Sequence, residues 1–470
     1  MAVMRSIKRN VYLLSQYLID KNDRKNAGAM DLSLWGFHSN EKQHLVLGGC
    51  DCVELAEKYG TPLFVCDKTL LENNFDQFQG SLASHAIRFE ILYSYKTNPV
   101  PGIIRALHDK GAGAEVVSPY ELWLALKYRV DPADIVYNGP NKSDEGLRMA
   151  VSANIKLINV NSFREIDALE GLAAECGARP QVGVRISTLA GWGGQFGFKL
   201  ESGEALQAFD RLHRSPSLQP AAIHFHLGTN LKDSHSYRSA LISSLGLARE
   251  LKEKYDIRIT YLDLGGGLGI PTVRDLERRE NRLNATFNKP HLPPDPGHTH
   301  SIKAFVNDIA RTFREECKAL HLEPPILLLE PGRALTGNTE ILLATVGDFK
   351  QTRNGYDIAL LDAGINIALP LTWEYHEIFL ANRIHDLRDR RYGLAGPLCT
   401  PTDFFLKSKR LPHLQVGDIL AITDTGAYFT SFANDFSFPR PAIVMVREGN
   451  HWIIRDRETF DDLVAKDMKP

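Results

Sequence analysis

Four short stretches bring together residue types that could do chemistry. In Tyr93-Ser94-Tyr95-Lys96-Thr97-Asn98 a bulky run ends on a lysine, and the breaker pair Asn98-Pro99 follows at once. Alternating bulky residues read as a buried strand that Asn-Pro stops, so Lys96 sits at a strand's C-terminal end. A lysine held there shifts its pKa and can form a Schiff base; the plainer reading is a lysine snorkelling from a strand end. Gly265-Gly266-Gly267 could bring backbone N–H groups up to an anion as a phosphate cradle does, or simply make a tight turn. Glu330-Pro331-Gly332-Arg333 offers a carboxylate and a guanidinium. They form a structural ion pair, or else they hold a ring nitrogen and an anion. His224-Phe225-His226-Leu227-Gly228 sends two imidazoles to the same side of a strand. For His224 the favoured reading is a satisfied core histidine, which leaves His226 for the site.

The elements that must position these residues recur with a regular rhythm. Apolar runs fall at 91–95, 114–117, 134–137, 157–160, 182–186, 223–226, 261–264 and 326–329, with helix-like stretches such as 118–127, 143–153, 162–176 and 237–255 between them. Strands alternating with helices mean parallel βα units, and eight of them match a (β/α)8 TIM barrel. In that barrel chemistry collects at the C-terminal strand ends, where all four stretches lie. The loop 271–300 is the longest irregular stretch, and Pro293-Pro294-Asp295-Pro296-Gly297 argues against regular structure there. After Gly332 short strands at 345–348, 357–361, 416–420 and 442–446 follow without long helices, which reads as a C-terminal β-sandwich or barrel domain. The expected division is a helix and linker over 1–34, strands over 35–66 joining the β domain, the barrel over 67–334, and the β domain over 335–470.

Composition narrows the classes. The chain has 470 residues, 43% hydrophobic and 24% charged, with a net charge of −2. That is ordinary for a globular protein and gives no general attraction to nucleic acid or an anionic membrane. No stretch approaches the roughly 20 apolar residues of a membrane span. Six cysteines (50, 52, 66, 176, 317, 399) make no disulfide framework in so long a chain, and a reducing cytoplasm is expected. Cys50-Asp51-Cys52 lacks a second Cys/His pair of matching spacing, and His291, His298 and His300 read better as solvated loop residues than as ligands, so no metal is expected. A basic start (Arg5, Lys8, Arg9) and an apolar run over 11–19 imitate a signal peptide. The charged segment 20–25 argues instead for an amphipathic N-terminal helix.

A lysine, a phosphate cradle, an acid, an arginine and a histidine therefore converge on one barrel mouth. These are the parts that hold pyridoxal 5′-phosphate (PLP): a lysine for the aldehyde, N–H donors and a cation for the phosphate, an acid that keeps the pyridine nitrogen protonated, and a flat imidazole for the ring face.

Tyr95-Lys96-Thr97-Asn98, Gly113-Ala114-Glu115-Val116-Val117-Ser118, His226-Leu227-Gly228, Asp263-Leu264-Gly265-Gly266-Gly267, Glu330-Pro331-Gly332-Arg333, Gly396-Pro397-Leu398-Cys399 and Gly426-Ala427-Tyr428 resemble, in order, the signature segments of fold-type III PLP-dependent decarboxylases. Diaminopimelate decarboxylase is the nearest branch, with D-ornithine/D-lysine decarboxylase its relative. The resemblance implies that Lys96 is the Schiff-base lysine with Glu115 near it, and that His226 stacks on the ring. It implies that Gly265, Gly266 and Gly267 bind phosphate, that Glu330 pairs with the ring nitrogen, and that Gly332 and Arg333 belong to the cofactor site, Arg333 holding phosphate or a substrate carboxylate. Arg185 supports the cofactor from the fifth strand, and Tyr428 lies near it. Cys399 and Asp403 reach the partner subunit's site, so two complete sites require a homodimer. Lys96, His226 and Cys399 are the catalytic residues so implied; Arg333, Cys399, Asp403 and Tyr428 meet the substrate.

Departures fall on the substrate side. The family's acid near the lysine is usually Asp, here Glu115, and its Lys-Phe-Gly segment is Gln195-Phe196-Gly197. Its Cys-Glu-Ser-Gly-Asp segment stands as Cys399-Thr400-Pro401-Thr402-Asp403, and the arginine expected after Asp362-Ala363-Gly364 is missing. Arg383 or Arg388 could replace that cation, and Glu374 or Glu377 the lost anion. The expected activity is decarboxylation of an amino or diamino acid, diaminopimelate decarboxylase-like. The alternatives are a D-ornithine/D-lysine-type or biosynthetic-conjugate decarboxylase, a same-fold racemase, and a non-catalytic PLP-binding regulatory homologue.

Overall fold

The structure, a computed structural model, describes residues 31–191, 194–352 and 356–467. The helix expected at the N-terminus falls outside them. The described residues form two compact units, one from 71–271 with 297–336 and the other from 31–70 with 272–296 and 337–467.

The first unit is a closed parallel barrel of β1 (Phe89–Ser94), β2 (Gly113–Val116), β3 (Ile135–Tyr137), β4 (Leu157–Val160), β5 (Gln181–Ser187), β6 (Gln219–His224), β7 (Tyr261–Asp263) and β8 (Ile326–Leu329). Each strand pairs in parallel with the next, and β8 returns to β1 through Leu328 opposite Glu90. Strands covered on both faces need apolar residues without alternation, and β2, β3 and β4 are buried throughout. Leu92, Val136, Leu157, Ala222 and Leu328 form one core cluster. Serines start three of the helices: the hydroxyls of Ser118, Ser143 and Ser162 accept from the backbone N–H of Glu121, Gly146 and Glu165, satisfying donors that a helix leaves open at its N-terminus.

Two strand ends come earlier than the apolar runs suggest. β6 stops at His224, leaving His226 in the following loop, and Lys96 lies in a single 3-10 turn, Tyr95–Thr97, after β1.

In the second unit the long strand Glu340–Gln351 is the hub. It pairs antiparallel with Leu63–Asp67, Asp357–Leu361 and Ile419–Ile422. Leu63–Asp67 in turn runs parallel to Ala442–Arg447. Leu63, Val65, Ile341, Leu343, Ala421 and Val444 share one core with Trp35 and Phe37, the period of two expected of a sheet covered on that face.

Segment 272–296, expected to be irregular, holds regular structure. Arg274–Asp275 pairs antiparallel with Glu374–Tyr375, and a helix spans Arg278–Phe287. Glu277 and Glu280 cap that helix reciprocally, and Arg274 holds both Glu280 oxygens at 2.7 Å. The proline cluster acts only after Asn288, beyond the capped helix.

Candidate active site

The residues of the barrel mouth come from the ends of different strands. The turn after β1 presents Lys96, whose Nζ donates to Glu115 Oε2 on β2 at 2.7 Å. Ser94 Oγ donates to the same oxygen at 2.5 Å. Burial pushes the Glu115 carboxyl up, but the Lys96 ammonium and the bonds from Lys96, Ser94 and Asn138 outweigh it and hold the group below its ordinary range. Glu115 is thus a carboxylate facing an amine.

Asn138, just past β3, links this pair to the opposite wall. Its Nδ2 donates to Glu115 Oε1 at 3.0 Å and to Glu330 Oε1 at 2.5 Å. Asn159 on β4 donates to Asn138 Oδ1 at 2.8 Å and to Asp263 Oδ2 at 3.1 Å. Glu330 is raised well above the carboxylate range by burial, then by the charges on Asp263 and Glu115. Asp263 is pushed up to about 7, chiefly by burial. The acid end of the line therefore holds a proton near neutrality.

His226 accepts from the Gly266 N–H through Nδ1 at 3.2 Å, which requires that nitrogen to be unprotonated. Burial, then the charges on Lys96 and Arg185, press its pKa down to about 3, so the ring is neutral. Burial and the Arg185 charge hold His224 well below its usual range, with Nε2 3.8 Å from Glu330 Oε2. Arg185 on β5 is buried and lies 4.4 Å over the Phe196 ring. Arg333 is buried at the start of the short helix Arg333–Thr336.

The glycine turn has no room for side chains. A Cβ at Gly266 would stand 2.1 Å from the Glu330 carbonyl oxygen, and one at Gly267 2.2 Å from that of Gly228. Two of its N–H groups are engaged within the protein. The Gly265 N–H is directed at Asp263 Oδ1, 3.0 Å away, and the Gly266 N–H at His226. These two glycines brace the acid and the histidine as much as they form a cradle. Together, an amine on a carboxylate, a protonated acid across from it, a buried guanidinium and a glycine turn fit the aldehyde, ring nitrogen and phosphate of PLP.

Lys96, Glu115, Arg185, His226, Gly265, Gly266, Gly267, Glu330, Gly332 and Arg333 all belong to the barrel unit; Cys399, Asp403 and Tyr428 belong to the other. Cys399 is an exposed free thiol. Asp403 is buried and accepts the Ile365 N–H through Oδ1 and the Leu398 N–H through Oδ2, both at 2.7 Å; it shapes the loop that carries Cys399. Tyr428 has φ +72°, a conformation costly for a side chain of its size and typical of constrained sites. The candidate replacement cations are committed elsewhere. Arg388 donates to Glu377 Oε1 at 2.5 Å, and Arg383 to Asp418 Oδ2 at 2.9 Å.

Asn138, Asn159 and Asp263 were not singled out as site residues by the sequence reading. An asparagine closing a buried strand and an acid directly before three glycines were the available signals, since each puts a polar group where only apolar ones are otherwise tolerated.

Comparison with known proteins agrees with this geometry. The profile of the family described as pyridoxal-dependent decarboxylase, pyridoxal binding domain, matches residues 69–337. A diaminopimelate decarboxylase of Methanothermobacter thermautotrophicus is 32% identical over 443 residues, covering 92% of this chain and 97% of its own. That of Bacillus subtilis is 31% identical, covering 91% and 96%. The crystal structure of diaminopimelate decarboxylase from M. jannaschii in complex with L-lysine has a TM-score of 0.81 at 30% identity and covers 92% of this chain and 98% of that one. With the barrel mouth and the full-length likeness agreeing, this chain belongs to the PLP-dependent decarboxylases, on their diaminopimelate decarboxylase-like branch.

Proposed function

We propose that the chain decarboxylates an amino or diamino acid of the diaminopimelate class, working as a homodimer in the cytoplasm. The observation that carries this reading is the hydrogen-bonded line Lys96–Glu115–Asn138–Glu330, an amine at one end and a buried carboxyl group at the other. Bound PLP supplies the electron sink for the carbanion left when CO2 departs. Lys96 would hold its aldehyde carbon and would give up that place to a substrate amine, with Glu115 orienting the lysine. Glu330 keeps a proton at the ring nitrogen. His226 offers a neutral ring face, and Arg333, with Gly265 to Gly267 and Gly332, positions the phosphate; Arg185 supports that wall. Cys399 or Lys96 returns a proton to the substrate α-carbon. Asp403 serves through the loop it holds, and Tyr428 from its constrained backbone.

The relatives' names and the lysine complex support the substrate class. All six cysteines are free thiols, which supports a reducing compartment; no described helix is long and apolar enough to cross a membrane. Purified protein with PLP is expected to release CO2 from at least one of diaminopimelate, lysine, ornithine and arginine. PLP binding without CO2 release from any amino acid across a full panel overturns the reading.

A further inference from the structure

Three carboxyl groups, Glu115, Asp263 and Glu330, are buried in the mouth of one barrel. Glu115 is matched by Lys96. The other two share a different environment. The side-chain ligand atoms of His224, Asp263 and Glu330 all lie within 4.8 Å of one another. The donors that reach the two acids are neutral: the Gly265 N–H and Asn159 for Asp263, and Asn138 for Glu330.

We propose that Asp263 and Glu330 share a single proton, and that Asp263 is the positioning residue that lets Glu330 meet the ring nitrogen of PLP as a carboxylate or as an acid. The inference rests on the proposed role of Glu330. Two carboxyls this close and this far from water do not both ionise, since each charge penalises the other and neither is solvated. The surroundings do not relieve the pair. From β1 and β2 the Lys96 and Glu115 charges face each other. From β6 and its loop, His224 and His226 are both neutral. Tyr237 donates to the Gly266 carbonyl oxygen, and its hydroxyl is pushed up by burial and then by Glu330, so it remains protonated. Arg185 from β5 is the cation that feels both acids, and one cation matches one negative charge on the pair. The upward displacement of both acids, Asp263 to about 7, agrees with a pair that titrates as a unit.

Asp263 also reaches the other end of the cofactor site. Its Oδ1 holds the Gly265 N–H at 3.0 Å, Gly265 stands at φ +64°, and the Gly265 carbonyl accepts the Glu330 N–H at 2.9 Å. One carboxyl thus ties the glycine turn to the acid. When Glu330 faces a protonated ring nitrogen as a carboxylate, the shared proton rests on Asp263 and is directed at the Glu330 carboxylate beside it.

The test is the pH dependence of the PLP dissociation constant, followed by cofactor absorbance, for wild type, Asp263→Asn, Glu330→Gln and the double variant. Asp263→Asn keeps the Oδ1 acceptor for Gly265 and removes the acid. Wild type is expected to show a step in affinity near the value of about 7 displaced onto Asp263. Asp263→Asn and Glu330→Gln should each abolish that same step, and the double variant should add nothing further. A wild-type pH profile in Asp263→Asn overturns the proposal, whatever happens to the dissociation constant itself. A second measurement needs neither PLP nor a variant that folds. The infrared spectrum of the wild-type apoprotein should retain a protonated-carboxyl band at neutral pH, shifted in D2O; its absence overturns the shared proton. Failure of wild type to bind PLP would count against the proposed function, and the absence of the infrared band would still overturn this inference.

Discussion

Lys96 Nζ lies 2.7 Å from Glu115 Oε2, yet the lysine side chain is 34% exposed and the glutamate 1%. The amine can be approached from outside, while its carboxylate has no water to turn to. A pair built this way keeps the nucleophile reachable and its orientation fixed, unlike a surface ion pair, which is worth little.

Glu115→Gln should therefore lower kcat/KM while leaving the fold intact. It exchanges a charge-assisted hydrogen bond worth about 1.5–3 kcal/mol for a neutral one worth about 0.5–1.5, a loss on the order of 1–1.5 kcal/mol or roughly 5- to 13-fold. Steady-state kinetics on the best substrate checks this; an unchanged kcat/KM would show that Glu115 does not orient the reacting lysine.

Lys96 should be the residue that PLP labels. Borohydride reduction of the yellow holoprotein followed by peptide mass spectrometry is expected to find the label on Lys96, and Lys96→Ala should lose both label and turnover. Labelling of another lysine would displace Lys96 from the mechanism.

The β unit carries its own buried charge cluster. Glu377 receives Arg388 at 2.5 Å and Lys409 at 3.0 Å. Burial alone would raise its carboxyl, but those two cations and the Tyr375 hydroxyl bring it down to about 2. An unfolded glutamate titrates near 4.3. Between those values the unfolded chain binds more protons than the folded one, so stability falls as pH drops through that window and is complete above it. Glu377→Gln strands two buried cations and should cost about 3–5 kcal/mol at neutral pH. Thermal melts of both proteins against pH check this; equal melting temperatures at neutral pH would refute it.

Cys399 and Lys96 stand in different compact units. If a homodimer shares its sites, mixing Lys96→Ala with Cys399→Ala protein should restore a fraction of wild-type turnover as subunits exchange. No recovery, with exchange demonstrated by differently tagged subunits, would remove the shared site.

The distal end of meso-diaminopimelate needs a cation for its carboxylate and an acceptor for its ammonium. Thr400 stands where the resembling segment carries glutamate, and Arg383 and Arg388 are held by Asp418 and Glu377. With no other residue in their place, missing both contacts would weaken distal recognition by about two to four orders of magnitude. Values of kcat/KM for meso-diaminopimelate, both enantiomers of lysine and ornithine, and arginine should place another substrate first. A preference for meso-diaminopimelate of about a hundredfold, roughly 2.7 kcal/mol, would show that other residues replace the missing ones.

Chain order alone determined the barrel and the identity of its reactive ends. Eight apolar runs alternating with helices admit few other parallel arrangements, and Lys96, His226 and Glu330 each follow or close such a run, so their common mouth was legible from local patterning, whereas Glu115, inside the second run, was placed there only by the resemblance. The capped helix Arg278–Phe287 was also written locally, in Glu277 and Glu280, but the prolines after it masked the signal. What only the tertiary structure decided is how polar groups far apart in sequence satisfy one another. Asn138 meets a glutamate 192 positions away, Asn159 an aspartate 104 away, and Arg388 closes on Glu377 instead of on a substrate. Residue type gives each group's capacity to donate, accept or ionise. The partner it finds, and hence its charge, depends on which strand ends the closed barrel brings within 3 Å and on how completely water is kept from them.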